Sequence, residues 1–409
     1  MLVEFTVENF KSFKERTTFS MEATVDKKHH SNLADTGKMK LLKTSVIYGA
    51  NASGKTKMME AMHMMRAFVL QSHTHIENAL LTHMPFVFDE EMRKSPTSFA
   101  IKFIKNEMLY EYSFSYTQNE IVNESLRYYP NKRPAVIFER NKDKYKFVKD
   151  RGKQNANSER VRNNSLYLSV AAQFNYSAAK IPFEWFMNDL MVIIGSNAPD
   201  FLNILIERMQ KDQIFKKRVL KAFKIADFGI TSIVDRGKTD RTPSNTFSPS
   251  LVYFEVQDIR LNHSLKDKDG KTVRVDIPIL EESSGTVRFL STIGPIIDSL
   301  STGKTIVIDE IDLSFHSDLC KWIIGLFHDP SENSKNAQLI FNTHDVEMLD
   351  LNIMRRDQIW FITKTESGIS SLRALSEYRE RNDKDIRRAY LAGRYDGVPF
   401  ISTERLMNE

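Results

Sequence analysis

Between Gly49 and Thr56 the chain reads Gly-Ala-Asn-Ala-Ser-Gly-Lys-Thr, and few eight-residue runs restrict a fold as tightly. Two glycines bracket four residues, and a lysine and a hydroxyl side chain follow at once. Glycine lets the backbone approach an anion closely, the loop amides and the N-terminus of the following helix point at it, and the lysine adds a point charge. Such a loop works only where a strand delivers the chain and a helix carries it away. The flanks agree, since Thr44-Ser45-Val46-Ile47-Tyr48 is a mainly apolar run and Lys55 to about Gln71 contains helix formers without proline or glycine. Asn51, Ala52, Ser53, Gly54, Lys55 and Thr56 are therefore expected to hold a polyphosphate. Lys55 also acts on the reacting phosphates, and the Thr56 hydroxyl is placed to ligate Mg²⁺.

A loop of this kind needs a carboxylate on a neighbouring strand. Thr305-Ile306-Val307-Ile308-Asp309-Glu310 supplies an apolar strand ending in adjacent acids, with Asp309 on the metal side and Glu310, just beyond the strand, as general base for attacking water. Gln338 to Asp345 repeats the pattern and puts His344 where a strand leaves the sheet. His344 is expected to sense the terminal phosphate, a role that requires its strand to lie beside the one ending at Asp309. Upstream, Ser283, Ser284 and Gly285 precede an apolar periodic stretch to Ile297 and read as a capped helix start. That start is either a plain cap or a second anion-binding terminus serving a nucleotide held by another subunit.

The rest of the chain sets the surroundings. Residues 2–25 read as two strands around a turn at Asn9–Lys14, 85–148 as a run of short antiparallel strands, 159–224 as helix, 251–256 as a strand after a polar stretch at 237–250, and the last third as alternating helix and strand. The expected division is a lobe at 1–150, a mainly helical insert at 151–250 and a second lobe at 251–409. A net charge of +5 over 409 residues is too small for a global claim on nucleic acid. One cysteine, Cys320, excludes an intrachain disulfide framework and a thiolate cluster and fits a reducing, cytoplasmic setting. No run approaches eighteen consecutive apolar residues, which argues against a membrane span, and the acidic, strand-like start argues against a secretory leader.

Together these passages resemble the ABC-type ATPase heads of the SMC/RecF/OLD superfamily, and most closely its compact bacterial RloA/AbiL-like group. Val7-Glu8-Asn9-Phe10-Lys11-Ser12-Phe13 resembles the superfamily's N-terminal strand-turn, Gly49–Thr56 its Walker A loop and Asp309-Glu310 its Walker B acids. Ser283-Ser284-Gly285-Thr286 stands at the signature position, Asp312 at the D-loop and His344 at the switch histidine. Arg356–Phe361 and Tyr390–Phe400 are similar to the small group's C-terminal phrases. The signature departs from the usual leucine-serine-glycine-glycine, and Phe315-His316-Ser317 replaces the common leucine-histidine-proline. The resemblance implies an α/β P-loop NTPase fold of ABC-head type, with an antiparallel β subdomain and a helical insert. It also implies an ATPase using Mg²⁺, two heads sandwiching two ATP molecules as a homodimer or higher oligomer, and service in anti-phage defence beside a separate effector, often a nuclease.

Other functions fit less well. A DNA-repair ATPase of RecF or SMC type would need a basic surface, and Lys216, Lys217, Arg218, Lys221 and Lys224 offer one on the insert, flanked by Asp212 and Asp227. A self-contained nuclease finds no room after His344, where Glu377, Glu380, Asp383 and Asp385 alternate with Arg379, Arg381, Lys384 and Arg387 as on a solvated helix. Arg66 and His73, seven residues apart beyond the phosphate loop, read as scaffold. A GTPase would need Asn-Lys-x-Asp, and the nearest text, Asn141-Lys142-Asp143-Lys144, fails at its last residue.

Overall fold

The parallel sheet grows out of apolar runs too uniform to face water. In the computed structural model, which describes residues 1–195, 200–226, 228–235, 259–313, 315–379 and 385–397, six strands form one sheet. They are β5 (Thr44–Tyr48), β11 (Leu190–Ile193), β15 (Thr305–Ile308), β16 (Gln338–Asn342), β17 (Ile359–Lys364) and β18 (Ser370–Ala374), in the order β11-β15-β16-β5-β17-β18. All pairings are parallel except β17 with β18. β5, β15 and β16 are buried at every position, as expected of strands covered on both faces.

A second sheet has seven antiparallel strands: β1 (Leu2–Glu8), β2 (Thr17–Ser20), β6 (Thr97–Lys105), β7 (Met108–Tyr116), β8 (Ile121–Tyr129), β9 (Ala135–Asn141) and β10 (Lys144–Phe147). β6 alternates buried and half-buried residues along most of its length, the mark of a strand with one face on a core. The helix α1 (Lys55–Gln71) lies between the sheets. Its Met58, Ala61, Met62, Met65 and Phe68 recur at helical spacing and share one core with Phe5, Phe99 and Tyr112 of the antiparallel sheet and Ile47, Val307 and Ile340 of the parallel one. Strand alternation sends Val46, Ile306, Ile308, Leu339 and Phe341 to the other face, where helices Ser284–Thr302 and Ser317–His328 cover them. A hairpin of β3 (Leu33–Asp35) and β4 (Lys40–Leu42), and a three-stranded sheet of β12 (Ile230–Asp235), β13 (Ile259–Lys266) and β14 (Thr272–Pro278), complete the strands. Among the described residues no helix is long and apolar enough to cross a membrane.

The strands expected at residues 2–25 and the antiparallel run expected at 85–148 are present as β1, β2 and β6–β10. The helical reading of 159–224 needs correction. Leu190–Ile193 leaves the helices and joins the parallel sheet beside β15, because a short apolar run carries no period that separates a buried strand from a buried helix. The helix read from Phe201 to Lys224 is two, Asp200–Lys211 and Gln213–Ile225, divided at Asp212, whose carboxylate accepts from the Phe215 amide at 2.9 Å and caps the second. Glu377 and Asp385 do not share a helix either, for Glu377 ends a 3₁₀ turn and Asp385 caps Ile386–Leu391. The readings on 237–250 and 251–256, on Asp227, on 380–384 and on 398–400 lie outside the described residues.

Buried glutamines join the layers. Gln338 accepts from the Leu2 amide at 2.6 Å and from Thr305 Oγ1 at 2.9 Å, and donates to the carbonyls of Leu2 and Leu42 at 3.0 and 3.1 Å. Replacing it with leucine removes these bonds and leaves the Leu2 amide only Thr305 Oγ1 at 3.3 Å, at about 1–3 kcal/mol for each buried group left unsatisfied, partly relieved by water entry. Gln338→Leu is expected to lower unfolding stability by about 3 kcal/mol, read from equilibrium urea denaturation with an unchanged m-value.

Candidate functional site

β5 ends at Tyr48, and the chain turns directly into the Gly49–Thr56 loop. A Cβ on Gly49 would stand 2.5 Å from the Ile362 carbonyl oxygen and 2.6 Å from Ser53 Oγ, so the loop closes only without one. Gly54 adopts a φ of 121°, closed to other residues, and packs against Ser370 and Ser12. Ser370 Oγ contacts Ser53 O at 2.5 Å and Ser12 Oγ at 2.7 Å, which ties the N-terminal turn and β18 to the back of the loop. Asn51 and Ala52 face solvent, whereas Ser53 Oγ is buried with no hydrogen-bond partner among the described residues. Lys55 folds back, its Nζ donating to the Gly49 and Ala50 carbonyls at 2.6 and 3.1 Å. Burial lowers its pKa to about 8, against the opposing pull of Glu310, Asp309 and Asp312.

The acids arrive on β15. Parallel pairing sets Ile308 beside Phe341, so Asp309 leaves the sheet level with Asn342. Asn342 Nδ2 donates to Asp309 Oδ1 at 2.5 Å, and its Oδ1 accepts from the Glu310 amide at 2.6 Å. Burial raises the Asp309 pKa, while hydrogen bonds from Asn342 and from Thr56 on the phosphate loop hold it down. Glu310 has a φ of 51°, the left-handed region, and its carbonyl accepts from Arg288 Nη2 at 3.1 Å. Burial depresses the Arg288 guanidinium as well, opposed by Glu310, Asp309 and Asp312.

His344 follows β16, which lies next to β15 as its expected role requires. Its side chain is exposed, and its amide donates to Asp312 Oδ2 at 3.2 Å, placing the two loops in contact. Asp312 Oδ1 is buried without a hydrogen-bond partner. Ser283 caps helix Ser284–Thr302, its Oγ accepting from the Thr286 amide at 3.0 Å and lying 2.8 Å from the Thr286 hydroxyl. Ser284 is exposed at the helix start and Gly285 is half-buried. The structure thus brings Lys55, Thr56, Asp309, Glu310, Asp312 and His344 to one edge, while Ser283, Ser284 and Gly285 open outward on a helix that reaches that edge through Arg288.

Sequence reasoning passed over Asn342 and Arg288. Asn342 ends a strand, where asparagine usually signals a turn, and Arg288 sits five residues after the Ser283 cap. Only their pairing with Asp309 and Glu310 in space gives them a role. Arg66 is scaffold, as expected, its Nε donating to the carbonyls of Phe186 and Leu190 at 2.9 and 2.8 Å.

A phosphate loop at the end of a buried parallel strand, with paired acids one strand removed, defines a P-loop nucleotide-binding fold. The family described as "AAA domain, putative AbiEii toxin, Type IV TA system" matches residues 45–350, and the chain belongs to that family. No curated protein matches it. Among solved structures, the SMC head domain from Thermotoga maritima is 14% identical over 91% of this chain and 98% of its own, with a TM-score of 0.40. An SmcHead bound to the C-winged helix domain of ScpA is 12% identical over 91% of this chain and 97% of its own, with a TM-score of 0.47.

The free-site pKa of Lys55 has a measurable consequence. From about pH 8 upward the buried ammonium is increasingly neutral, and a polyphosphate beside it favours the charged form. Nucleotide binding is expected to take up about half a proton at pH 8 and none below about pH 7, where Lys55 is charged before and after. Titration calorimetry in two buffers of different ionisation enthalpy measures this uptake. Lys55→Met, if it still binds, should show none.

Proposed function

We propose that the chain binds ATP on Gly49–Thr56 and hydrolyses it with Mg²⁺, acting as a nucleotide-driven switch between separate and paired heads. The observation that carries this reading is the hydrogen-bonded set Thr56–Asp309–Asn342–Glu310 beside Lys55. The Thr56 hydroxyl and Asp309 carboxylate are hard oxygen donors already in contact, which suits Mg²⁺. Once bound, that ion would neutralise charge on the terminal phosphates. Ser53 Oγ, buried and unpartnered, is a ready hydrogen-bond donor to a phosphate oxygen. Glu310, its backbone fixed on both sides, takes the proton from the attacking water, and exposed His344 contacts the γ-phosphate.

In the paired state the exposed start of helix Ser284–Thr302 brings Ser284 and Gly285 to the nucleotide of a second copy. Ser283 contributes through the cap that fixes the helix terminus. Residues 1–150 and 251–409 then act as the two lobes of each head and 151–250 as the insert. The family's description, which names a toxin and a type IV toxin–antitoxin system, supports a role in bacterial anti-phage or abortive-infection-like defence. Since the motifs read account for an ATPase and no effector domain, the toxic or nucleolytic step falls to a separate protein.

Glu310→Gln keeps the shape of the base and removes its proton affinity. The variant is expected to form a stable dimer or multiple in Mg-ATP by light scattering, with phosphate release reduced at least about a hundredfold in the same samples. Undiminished turnover with a mass independent of ATP would show that Glu310 is not the base.

A further inference from the structure

Helix Gln213–Ile225 carries the five basic residues that make a nucleic-acid contact worth considering, yet their setting is apolar. Beside this helix runs a groove of about 440 Å³, walled by helices Ser284–Thr302 and Ser317–His328 and by the loop at 331–335. Ile225, Trp322 and Leu326 supply its accessible apolar surface, above Ala222, Ile293, Ile297 and Leu300, which the packed helices already bury, and Ser301, Ser331 and Ser334 complete the lining. Arg218, Lys221 and Lys335 stand on the rim against one acid, Glu332. Arg218 is steadied by Ser301 Oγ at 2.8 Å, and among the described residues no ion pair engages Lys221 or Lys335. The apolar strip continues onto the exposed surface, where Ile214 and Ile225 are 68% and 49% exposed. Ile214, Arg218, Lys221 and Ile225 follow the i, i+4, i+7, i+11 pattern of one helix face, about 16 Å long.

We propose that this groove binds an amphipathic helix of a partner protein, its apolar stripe on Ile225, Trp322 and Leu326 and its acidic flanks against Arg218, Lys221 and Lys335. Three helical turns match the length of the strip, and apolar anchors at i, i+3, i+4 and i+7 are how a helix reads such a groove. The excess of rim cations selects an acidic partner and speeds its approach. A nucleic-acid backbone would meet the rim cations but gain nothing from covering Ile225, Trp322 and Leu326. A second copy of this chain in an isologous contact would set the same cations against themselves. The groove lies apart from the phosphate loop, so the proposal stands whether or not the heads hydrolyse ATP.

A fluorescein-labelled 18-residue helical peptide with leucines at that spacing and glutamates on both flanks provides the probe. Its lysine-flanked counterpart and a 20-base-pair DNA duplex serve as comparisons, and binding is read by fluorescence anisotropy at fixed salt. The acidic peptide is expected to bind at least tenfold more tightly than the basic one. Ile225→Glu should weaken it at least tenfold, and Lys221→Glu should narrow or reverse the preference between the two peptides. Phosphate release by the same variants shows separately whether the ATPase reading holds. Equal binding of both peptides, or binding of neither, overturns the proposal. So does duplex binding that Lys221→Glu abolishes and Ile225→Glu leaves intact, which would make the stripe a nucleic-acid surface.

Discussion

The parallel register of β15, β16 and β5 is the constraint on which the site depends. Ile308 pairs with Phe341 and Asn342 with Ile47, so the acids, the asparagine and the phosphate loop leave the sheet at one level. The Thr305–Gln338 hydrogen bond pins one end of that register, but it does not set it alone. The register follows from burying Ile306, Ile308, Leu339 and Phe341 on one face and Val307 and Ile340 on the other. A slip of one residue in β16 would turn Leu339, Ile340 and Phe341 to the wrong layer and put Phe341 or Thr343 beside Asp309. Hydrophobic burial thus positions a polar site to within hydrogen-bonding distance.

Asparagine suits position 342 because its amide both donates and accepts. It gives a proton to Asp309 and takes one from the Glu310 amide. Aspartate there would set two carboxylates in contact, and leucine would leave two buried groups unpaired. Glu310 meanwhile sits in the left-handed region, at a cost of about 1–2 kcal/mol for a residue with a Cβ. Its N–H is held by Asn342 and its carbonyl by Arg288, so the strained backbone is over-determined from both sides. A helix that starts at Ser284 therefore has a direct mechanical hold on the residue proposed as base.

Much of this was legible in the sequence for a physical reason. The phosphate loop is contiguous, and its glycines, lysine and threonine each answer a requirement set by neighbours in the chain. Asp309-Glu310 is legible for the same reason, as acids ending an apolar strand. Asn342 and Arg288 were not, because each acts on a residue more than twenty positions away and becomes specific only once β15 and β16 pair. β11 escaped notice because four apolar residues amid helices carry no period. The resemblance drawn for Arg356–Phe361 gave that passage no physical purpose. Asp357 forms a two-pronged buried pair with Arg355, at 2.9 and 2.7 Å, and Gln358 bonds Thr44 at the start of β5, so both serve the scaffold beneath the site.

The electrostatics of the free site explain why its ligands must come together. Asp309, Glu310 and Asp312 face Lys55 and Arg288, one formal negative charge in excess. Burial pushes Asp309 up and Lys55 and Arg288 down; the neighbouring acids pull the two cations back, and hydrogen bonds from Asn342 and Thr56 hold Asp309 down. A polyphosphate entering alone would add several negative charges beside three carboxylates. Paired with a divalent cation it brings fewer, and Thr56 and Asp309 are already in contact where that cation is needed. On the proposed reading, phosphate oxygens would offer Lys55 a stronger acceptor than the carbonyls of Gly49 and Ala50 that now hold its ammonium.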